Sequence, residues 1–163
     1  MRRVILYGIG VVVLVVAAIV GIAYASGSWK RKQCQGTLRA LAYTVAMYRD
    51  MHNQMFPPAL SDSVSEEASS PRLLVCPGTG KNWGTYADAG VWPDYLYINW
   101  SPYYGTNDPP GGYPLIYDRR LSNHRGQGVN IAFVDGSVQW DPNAAWLRSF
   151  ANTHREYNIP VPR

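Results

Sequence analysis

An uncharged apolar run at the N-terminus constrains the fold more than any other feature of this chain. The residues from Val4 to Ala25 include no charged residue and no proline. As an α-helix this run is about 33 Å long, which matches the roughly 30 Å hydrocarbon core of a bilayer. We therefore predict that residues 1–28 form an N-terminal transmembrane segment.

Two other interpretations of the N-terminus compete with this anchor. Arg2, Arg3 and the Ala23-Tyr24-Ala25 triplet are typical of a cleaved secretory signal, but the apolar run is longer than such signals need. A prepilin leader requires a glutamate five residues after a small residue at the cut, and neither Gly8 nor Gly10 is followed by one. Basic residues flank the run on both sides, so charge alone does not fix its orientation in the membrane.

The helix is predicted to continue beyond the apolar run as an amphipathic segment over residues 29–58. Apolar residues recur at alternating spacings of four and three, which places them on one stripe of a helix. This stripe consists of Cys34, Leu38, Leu41, Val45 and Tyr48. Pro57 and Pro58 end the segment, because proline has no N–H and disfavours a helical residue before it. The stripe is the face on which we expect a β domain to pack.

Composition indicates that residues 59–163 form a globular, β-rich domain. The chain holds 15 glycines and 12 prolines, together with 12 tyrosines and 6 tryptophans. This mixture favours a turn-rich sheet over a helical bundle. We read the polar stretch from Ala59 to Pro71 as a surface loop, Tyr95 to Trp100 as a strand, and the end of the chain from Ile159 as loose.

A β-hairpin is the clearest local motif. Two apolar-rich runs, Asn130 to Val134 and Ser137 to Trp140, flank the dipeptide Asp135-Gly136. This dipeptide favours a two-residue type I′ turn, in which both residues need a positive φ. Asp141-Pro142-Asn143 then resembles a helix start for the residues that follow.

Three stretches resemble the pilin-like proteins that carry a prepilin-type processing-associated domain, named for its His, nine residues, Asp-Gly signature. The first is the helix CQGTLRALAYTVAMYRDMHNQMFPPAL, the second is LLVCP, and the third is the hairpin NHRGQGVNIAFVDGSVQW. Ten residues separate His124 from Asp135 here. The resemblance covers most of the chain from Cys34 to Trp140.

The resemblance implies an α+β, type IV pilin-like fold, with one long N-terminal helix packed on a C-terminal antiparallel sheet. It also implies a structural subunit or accessory pseudopilin of a type II secretion or type IV pilus-like filament. The expected partners are membrane lipid and copies of itself or other pilin-like subunits. The expected location is the bacterial inner membrane, single-pass, with the C-terminal domain periplasmic or extracellular.

The two cysteines suggest a disulfide if the domain lies in an oxidising compartment. A bond between Cys34 and Cys76 closes a loop of about 42 residues and adds about 3–4 kcal/mol in the chain-entropy model. The alternative is two unrelated buried thiols.

We predict no catalytic residue, no cofactor and no metal site. His124 and Asp135 are the residue types of an acid–base pair, but no nucleophile or phosphate-binding motif accompanies them. The family motif His124, Asn130, Asp135 and Gly136 is therefore interpreted as structural, with His124 bonded to the backbone.

Calcium binding, glycan or partner binding, and nucleic-acid binding are alternatives to these structural interpretations. Loop oxygen ligands suggest calcium, but they lack a regular spacing: Asp88, Asp94, Asn107, Asp108 and Asp118. The dense aromatics, Trp92 and Trp100 among them, suggest a membrane-anchored module that binds glycan or a partner, although a small domain also needs them for its core. Lys and Arg do not interleave with aromatics, which argues against nucleic acid.

Overall fold

The computed structural model describes residues 2–67, 69–86 and 93–163, and the side chains of all of these except residues 2–13 and 17–26. Helix α1 spans Arg2–Met51. It continues through Gly27 and Gly36 without a break. It ends before the two prolines because Asn53 adopts a left-handed conformation, with φ 51°. The Gln54 N–H then donates to the Arg49 carbonyl at 2.8 Å, which closes the helix end.

The predicted membrane anchor lies largely outside the residues whose side chains are described. Within the described part of the chain, which includes α1 from Gly27 to Met51, no helix is both long enough and apolar enough to cross a membrane.

Four antiparallel strands form one sheet in the order β1-β2-β3-β4, so each strand pairs with the next one along the chain. The strands are β1 (Tyr95–Tyr97), β2 (Pro114–Asp118), β3 (Gly128–Phe133) and β4 (Val138–Pro142). A register shift between Pro114 and Ile116 interrupts the pairing of β2 with β3. The predicted α+β class, with a long N-terminal helix and an antiparallel sheet, is confirmed.

Helix α1 covers one face of this sheet. Asn130 of β3 and Asp118 of β2 point to that face, because Asp118 contacts Cys34 of α1 and Asn130 contacts Asp118. On the helix side, Cys34, Leu38 and Leu41 are fully buried, and Val45 is only 1% exposed. Tyr48, the last residue of the predicted stripe, is half-buried and stacks on His52 with ring centroids 3.8 Å apart.

Helix α4 (Ala145–Thr153) lies on the opposite face. Side chains alternate along a strand, so Phe133 points away from Asn130, and its ring lies 5.2 Å from that of Trp146. The carboxylate of Asp141 starts this helix, because its two oxygens accept from the N–H groups of Trp146 and Leu147 at 3.0 and 2.9 Å.

The C-terminal residues lie on the domain, so the prediction of a loose tail is wrong. The Tyr117 hydroxyl donates to the Pro160 carbonyl at 2.7 Å, and the Leu121 N–H donates to the Arg163 carbonyl at 2.9 Å. Ile159 is only 8% exposed. These contacts cover the side of the sheet that Tyr117 faces.

The stretch that we read as a surface loop contains helix α2 (Leu60–Glu66). Its apolar face buries Leu60 and Val64, and the Ala59 N–H donates to Asp62 at 2.9 Å at its start. The other short helix, α3 (Ser101–Tyr104), follows the buried Trp100. We did not predict α2 because the segment is rich in serine and only two apolar residues indicate its buried face.

The hairpin forms where the sequence predicts it, but the two-residue type I′ turn is wrong. Gly136 has φ 80°, whereas Asp135 is not among the residues with positive φ. The Phe133 N–H donates to the Ser137 carbonyl and the Gly136 N–H to the Phe133 carbonyl, each at 2.9 Å. This pattern is a three-residue loop with Gly136 in the left-handed position, which an Asp-Gly pair serves equally well.

Candidate functional site

Four buried side chains with metal-ligating or nucleophilic atoms meet between α1 and the sheet. They are Cys34, Cys76, Asp118 and His124, and one donor atom from each lies within 4.8 Å of the others. Cys34, Cys76 and Asp118 are fully buried, and His124 is 7% exposed. We call these four residues the Cys-Asp-His cluster.

Each member of the cluster comes from a different part of the fold. Cys34 lies on the buried stripe of α1, and Cys76 follows the short 3-10 helix Pro71–Leu74. Asp118 is the last residue of β2, and His124 ends the 3-10 helix Leu121–His124. The antiparallel pairing of β2 with β3 sets the site, because it brings Asn130 of β3 against the carboxylate of Asp118.

Polar contacts join all four members. The Cys34 thiol donates to Asp118 Oδ1 at 3.4 Å, and the Cys76 Sγ lies 3.7 Å from His124 Nε2. His124 Nε2 is 3.1 Å from Asp118 Oδ2. The two cysteines are free thiols, and their sulfurs lie in the same cluster. The disulfide between them therefore stays a prediction.

A second set of residues holds the cluster in place. The hydroxyl of Tyr95 is 3.3 Å from Cys34 Sγ, and the Gly78 N–H donates to Cys76 Sγ at 3.3 Å. The Asn130 backbone N–H donates to Asp118 Oδ2 at 2.7 Å. The Cys76 backbone N–H donates to Asp94 Oδ2 at 3.1 Å, which fixes the loop that carries Cys76.

The ionisable groups of the cluster shift one another's pKa values. The neighbouring Cys34 thiol lowers the pKa of Cys76 to about 6, against the effect of burial and with help from His124. The neighbouring Cys76 sulfur, together with burial and Asp118, raises the pKa of Cys34. Burial lowers the pKa of His124, but Asp118 and Cys76 outweigh it and raise that pKa to about 9. Cys76 is therefore the more readily ionised sulfur.

One member of the cluster, His124, lines a cleft beside the helix. This cleft, of about 150 Å³, is also lined by Gly78 and Trp140, and by Lys30 and Arg31 of α1. The guanidinium of Arg31 lies 4.9 Å above the ring of Trp140. Cys76 lines a second opening, on the side of Arg72 and Trp83. His124 and Cys76 are therefore the cluster members that border open space, and neither sulfur is at the surface.

The family motif predicted from sequence divides between two places. His124 and Asn130 belong to the cluster or contact it, and the bonds of His124 are to side chains and not to the backbone as predicted. Asp135 and Gly136 form the exposed hairpin turn, five residues further along the chain from Asn130. His124 is buried in the cluster, whereas Asp135 is exposed and accepts from the Ser137 N–H in the turn, so the two do not form an acid–base pair.

The role of Asp118 and Tyr95 beside the cysteines was not predicted from the sequence. Asp118 follows the apolar run Pro114–Tyr117, and a carboxylate that directly ends a buried strand is a detectable signal. Tyr95 pairs with Asp118 in the sheet and so points to the same face. Neither position reveals the cysteines as neighbours, because that depends on how α1 packs.

The described residues that were named as calcium or glycan candidates lie in separate surroundings, and both interpretations stay predictions. Asp94 contacts Lys81 and Asp108 contacts Arg49, while Asp118 lies in the cluster, so these three carboxylates face different partners. Asp88 and Trp92 lie outside the described residues. Trp100 is fully buried and donates from Nε1 to the Pro114 carbonyl at 3.1 Å, so it cannot stack on a sugar.

Comparison with known proteins does not assign this chain to a family. No family model, no curated protein and no solved structure matches this chain. The likeness to pilin-like proteins therefore rests on the motifs quoted above and on the architecture.

Proposed function

We propose that this chain is a structural subunit or accessory pseudopilin of a type II secretion or type IV pilus-like filament, acting by helix-mediated assembly. The observation that carries the proposal is the continuity of α1. One helix contains both the apolar run and, after it, the stripe that is buried on the sheet. A subunit of this kind needs one continuous helix. One end of this helix packs on its own domain, and the other end packs against lipid or neighbouring helices.

The lengths agree with this division of α1. Its 50 residues make a helix about 75 Å long, whereas the stripe from Cys34 to Val45 accounts for about 17 Å. Leu14, Val15 and Val16, in the middle of the apolar run, are exposed by 71%, 51% and 54%. Apolar side chains left in water cost about 25 cal/mol per Å², so lipid or other helices would stabilise this part of the chain.

A pair of charge substitutions on α1 tests the proposal. Leu14→Arg places a charge in the apolar run, which costs about 2.5–3.5 kcal/mol at the centre of a membrane helix. Tyr43→Arg places the same charge on the exposed side of the packed half, where Tyr43 is 65% exposed. We expect the wild-type chain and Tyr43→Arg to be recovered in the membrane and in sheared surface filaments, and Leu14→Arg to be lost from both.

Recovery of Leu14→Arg in filaments at the wild-type level would contradict helix-mediated assembly. Recovery of the wild-type chain from membranes alone, in cells that do make filaments, would instead favour the permanently anchored binding module. Mass spectrometry of the native N-terminus distinguishes an intact Met1 from a start at Ser26, which secretion by signal cleavage would produce.

A further inference from the structure

We propose that Cys34, Cys76, Asp118 and His124 bind a single divalent metal ion of the zinc type, which joins α1 to the sheet. Zinc in structural sites takes four ligands in a tetrahedron, with Zn–S near 2.3 Å and Zn–N or Zn–O near 2.0 Å. The edges of such a tetrahedron are about 3.3–3.8 Å long, by geometry from those bond lengths. The cluster has the required number of donor atoms and the right size.

Three separations between donor atoms lie close to those edges. Cys34 Sγ to Asp118 Oδ1 is 3.4 Å, and Cys76 Sγ to His124 Nε2 is 3.7 Å. His124 Nε2 to Asp118 Oδ2 is 3.1 Å, and every pair of donor atoms in the set lies within 4.8 Å. The 4.8 Å limit exceeds the longest edge by about 1 Å, so side-chain shifts of up to about 1 Å would place all four on one ion.

The chemistry of the donors selects the ion. Two sulfurs and one imidazole suit zinc and disfavour magnesium and calcium, which take oxygen ligands. The carboxylate of Asp118 completes a set of four protein ligands, as in a closed structural site rather than a catalytic one. With two thiolates, one carboxylate and a neutral imidazole, the ion leaves a net charge of −1. The hydrogen bonds to the cluster from Tyr95, Gly78 and Asn130 oppose this charge.

The hydrogen bonds around His124, with the Asn130 amide in this orientation, fit a ligand on Nε2. Nε2 has the carboxylate of Asp118 at 3.1 Å and the amide Nδ2 of Asn130 at 2.9 Å. A single ring nitrogen cannot donate to the first and accept from the second at the same time. The other amide atom, Asn130 Oδ1, is buried and has no hydrogen-bond partner. A metal ion on Nε2 removes the conflict, because the nitrogen then gives its lone pair to the ion and Asn130 Nδ2 donates to Asp118 Oδ2, 3.3 Å away.

The surroundings supply the outer contacts that metal sites need. Hydrogen bonds to ligands orient them, and loss of one such contact typically weakens binding about 10–100-fold. Tyr95 plays this part for Cys34, Gly78 for Cys76 and Asn130 for Asp118. A Cβ on Gly78 would lie 2.7 Å from the Asn123 carbonyl, so this close approach to the sulfur requires glycine. The cleft that His124 lines gives the ion a route in.

The ion and a Cys34–Cys76 disulfide exclude each other in one molecule, because a bonded sulfur is no longer a thiolate. Two sulfurs suffice for the disulfide, and it gives no reason for the carboxylate and the imidazole to converge on them. The proposal goes beyond the filament role and does not depend on it.

Cobalt binding to the full-length chain tests the site. The protein is purified in detergent with a reductant, stripped with a chelator and titrated with Co²⁺ alone. We expect one ion per chain, with intense visible bands of tetrahedral cobalt and a near-ultraviolet thiolate-to-cobalt band, all displaced by Zn²⁺. Metal analysis of the protein before stripping is expected to show one zinc per chain.

Two variants keep the test independent of folding. Tyr95→Phe removes only the hydroxyl beside Cys34, and we expect it to fold and to bind Co²⁺ about 10–100-fold more weakly. Cys76→Ser is expected to lose the thiolate band at that sulfur. His154→Gln, directly after α4 and outside the cluster, is the matched control and is expected to bind as the wild type does.

Three results would overturn the proposal. One is a folded, reduced wild-type chain that takes up no Co²⁺. Another is Co²⁺ binding with the same spectrum and affinity in Cys76→Ser. The third is native protein whose intact mass is lower by two hydrogens and which contains no zinc, since that result assigns the two sulfurs to a disulfide. None of the three bears on filament assembly.

Discussion

At the scale of single residues, the tryptophans separate into core and surface. Trp100 is fully buried, and the rings of Tyr113 and Tyr157 lie 5.3 and 5.1 Å from it. Trp83 is 51% exposed and carries the Arg72 guanidinium 5.7 Å from its ring. Trp100 therefore belongs to the core and Trp83 to the surface. Of these two side chains, only Trp83 is accessible to a ligand.

The matched substitutions Trp100→Ala and Trp83→Ala test this division. We expect Trp100→Ala to lower the free energy of unfolding by about 3–5 kcal/mol, because it opens a cavity and removes a buried hydrogen bond. We expect Trp83→Ala to change it by no more than about 0.5 kcal/mol. Chemical denaturation followed by circular dichroism measures both. Equal losses in the two variants would contradict the assignment.

At the scale of elements, α1 is stabilised mainly by what its stripe buries. Leu41 is fully buried on the side of α1 that faces the sheet. Tyr43, two residues further along, points to solvent, and 65% of its surface is exposed. The apolar period of α1 showed this face in advance, since helix packing depends on the spacing of residues along one segment.

Truncation of each residue to alanine measures the contribution of the two faces. Leu41→Ala is expected to cost about 2–5 kcal/mol of stability, because the site cannot collapse fully against the sheet. Tyr43→Ala serves as the control and is expected to leave stability within about 0.5 kcal/mol of the wild type. A thermal melt of each variant decides it, and a Leu41→Ala melt that coincides with the wild type would show that α1 does not pack on the sheet.

The hairpin and the long helix could be predicted because each depends on a local pattern. The turn type could not, since Asp-Gly fits a type I′ turn and the three-residue loop seen here, and the difference lies in the φ of Asp135. The Cys-Asp-His cluster could not be predicted either. Its members are separated in sequence from residue 34 to residue 124, and only the packing of α1 on β2 and β3 brings Cys34 to Asp118.

At the scale of the whole molecule, the end of the chain closes the face of the sheet opposite α1. The carbonyl of Pro160 accepts from Tyr117, and that of Arg163 accepts from the Leu121 N–H. Leu121 begins the 3-10 helix that ends in His124, so the tail supports the segment that carries one member of the cluster.

Removal of residues 159–163 tests how much the tail contributes. We expect a loss of about 1–3 kcal/mol, because the hydrogen bonds of the tail to Tyr117 and Leu121 and the burial of Ile159 are lost. Tyr117→Phe in the full-length chain removes the hydroxyl as well as its need for a partner, and we expect a loss of only about 1 kcal/mol. Denaturant midpoints give both values. A truncated chain as stable as the wild type would mean that the tail contacts are incidental.

The order of the strands along the chain bears on how this protein is made. The buried stripe of α1 is synthesised early, but the strand that lies against it, β3, is complete only when Phe133 has left the ribosome. Until then Leu38, Leu41 and Val45 have no native surface to pack on, and such delayed long-range contacts slow folding. These three residues are therefore open to premature association until β3 is complete.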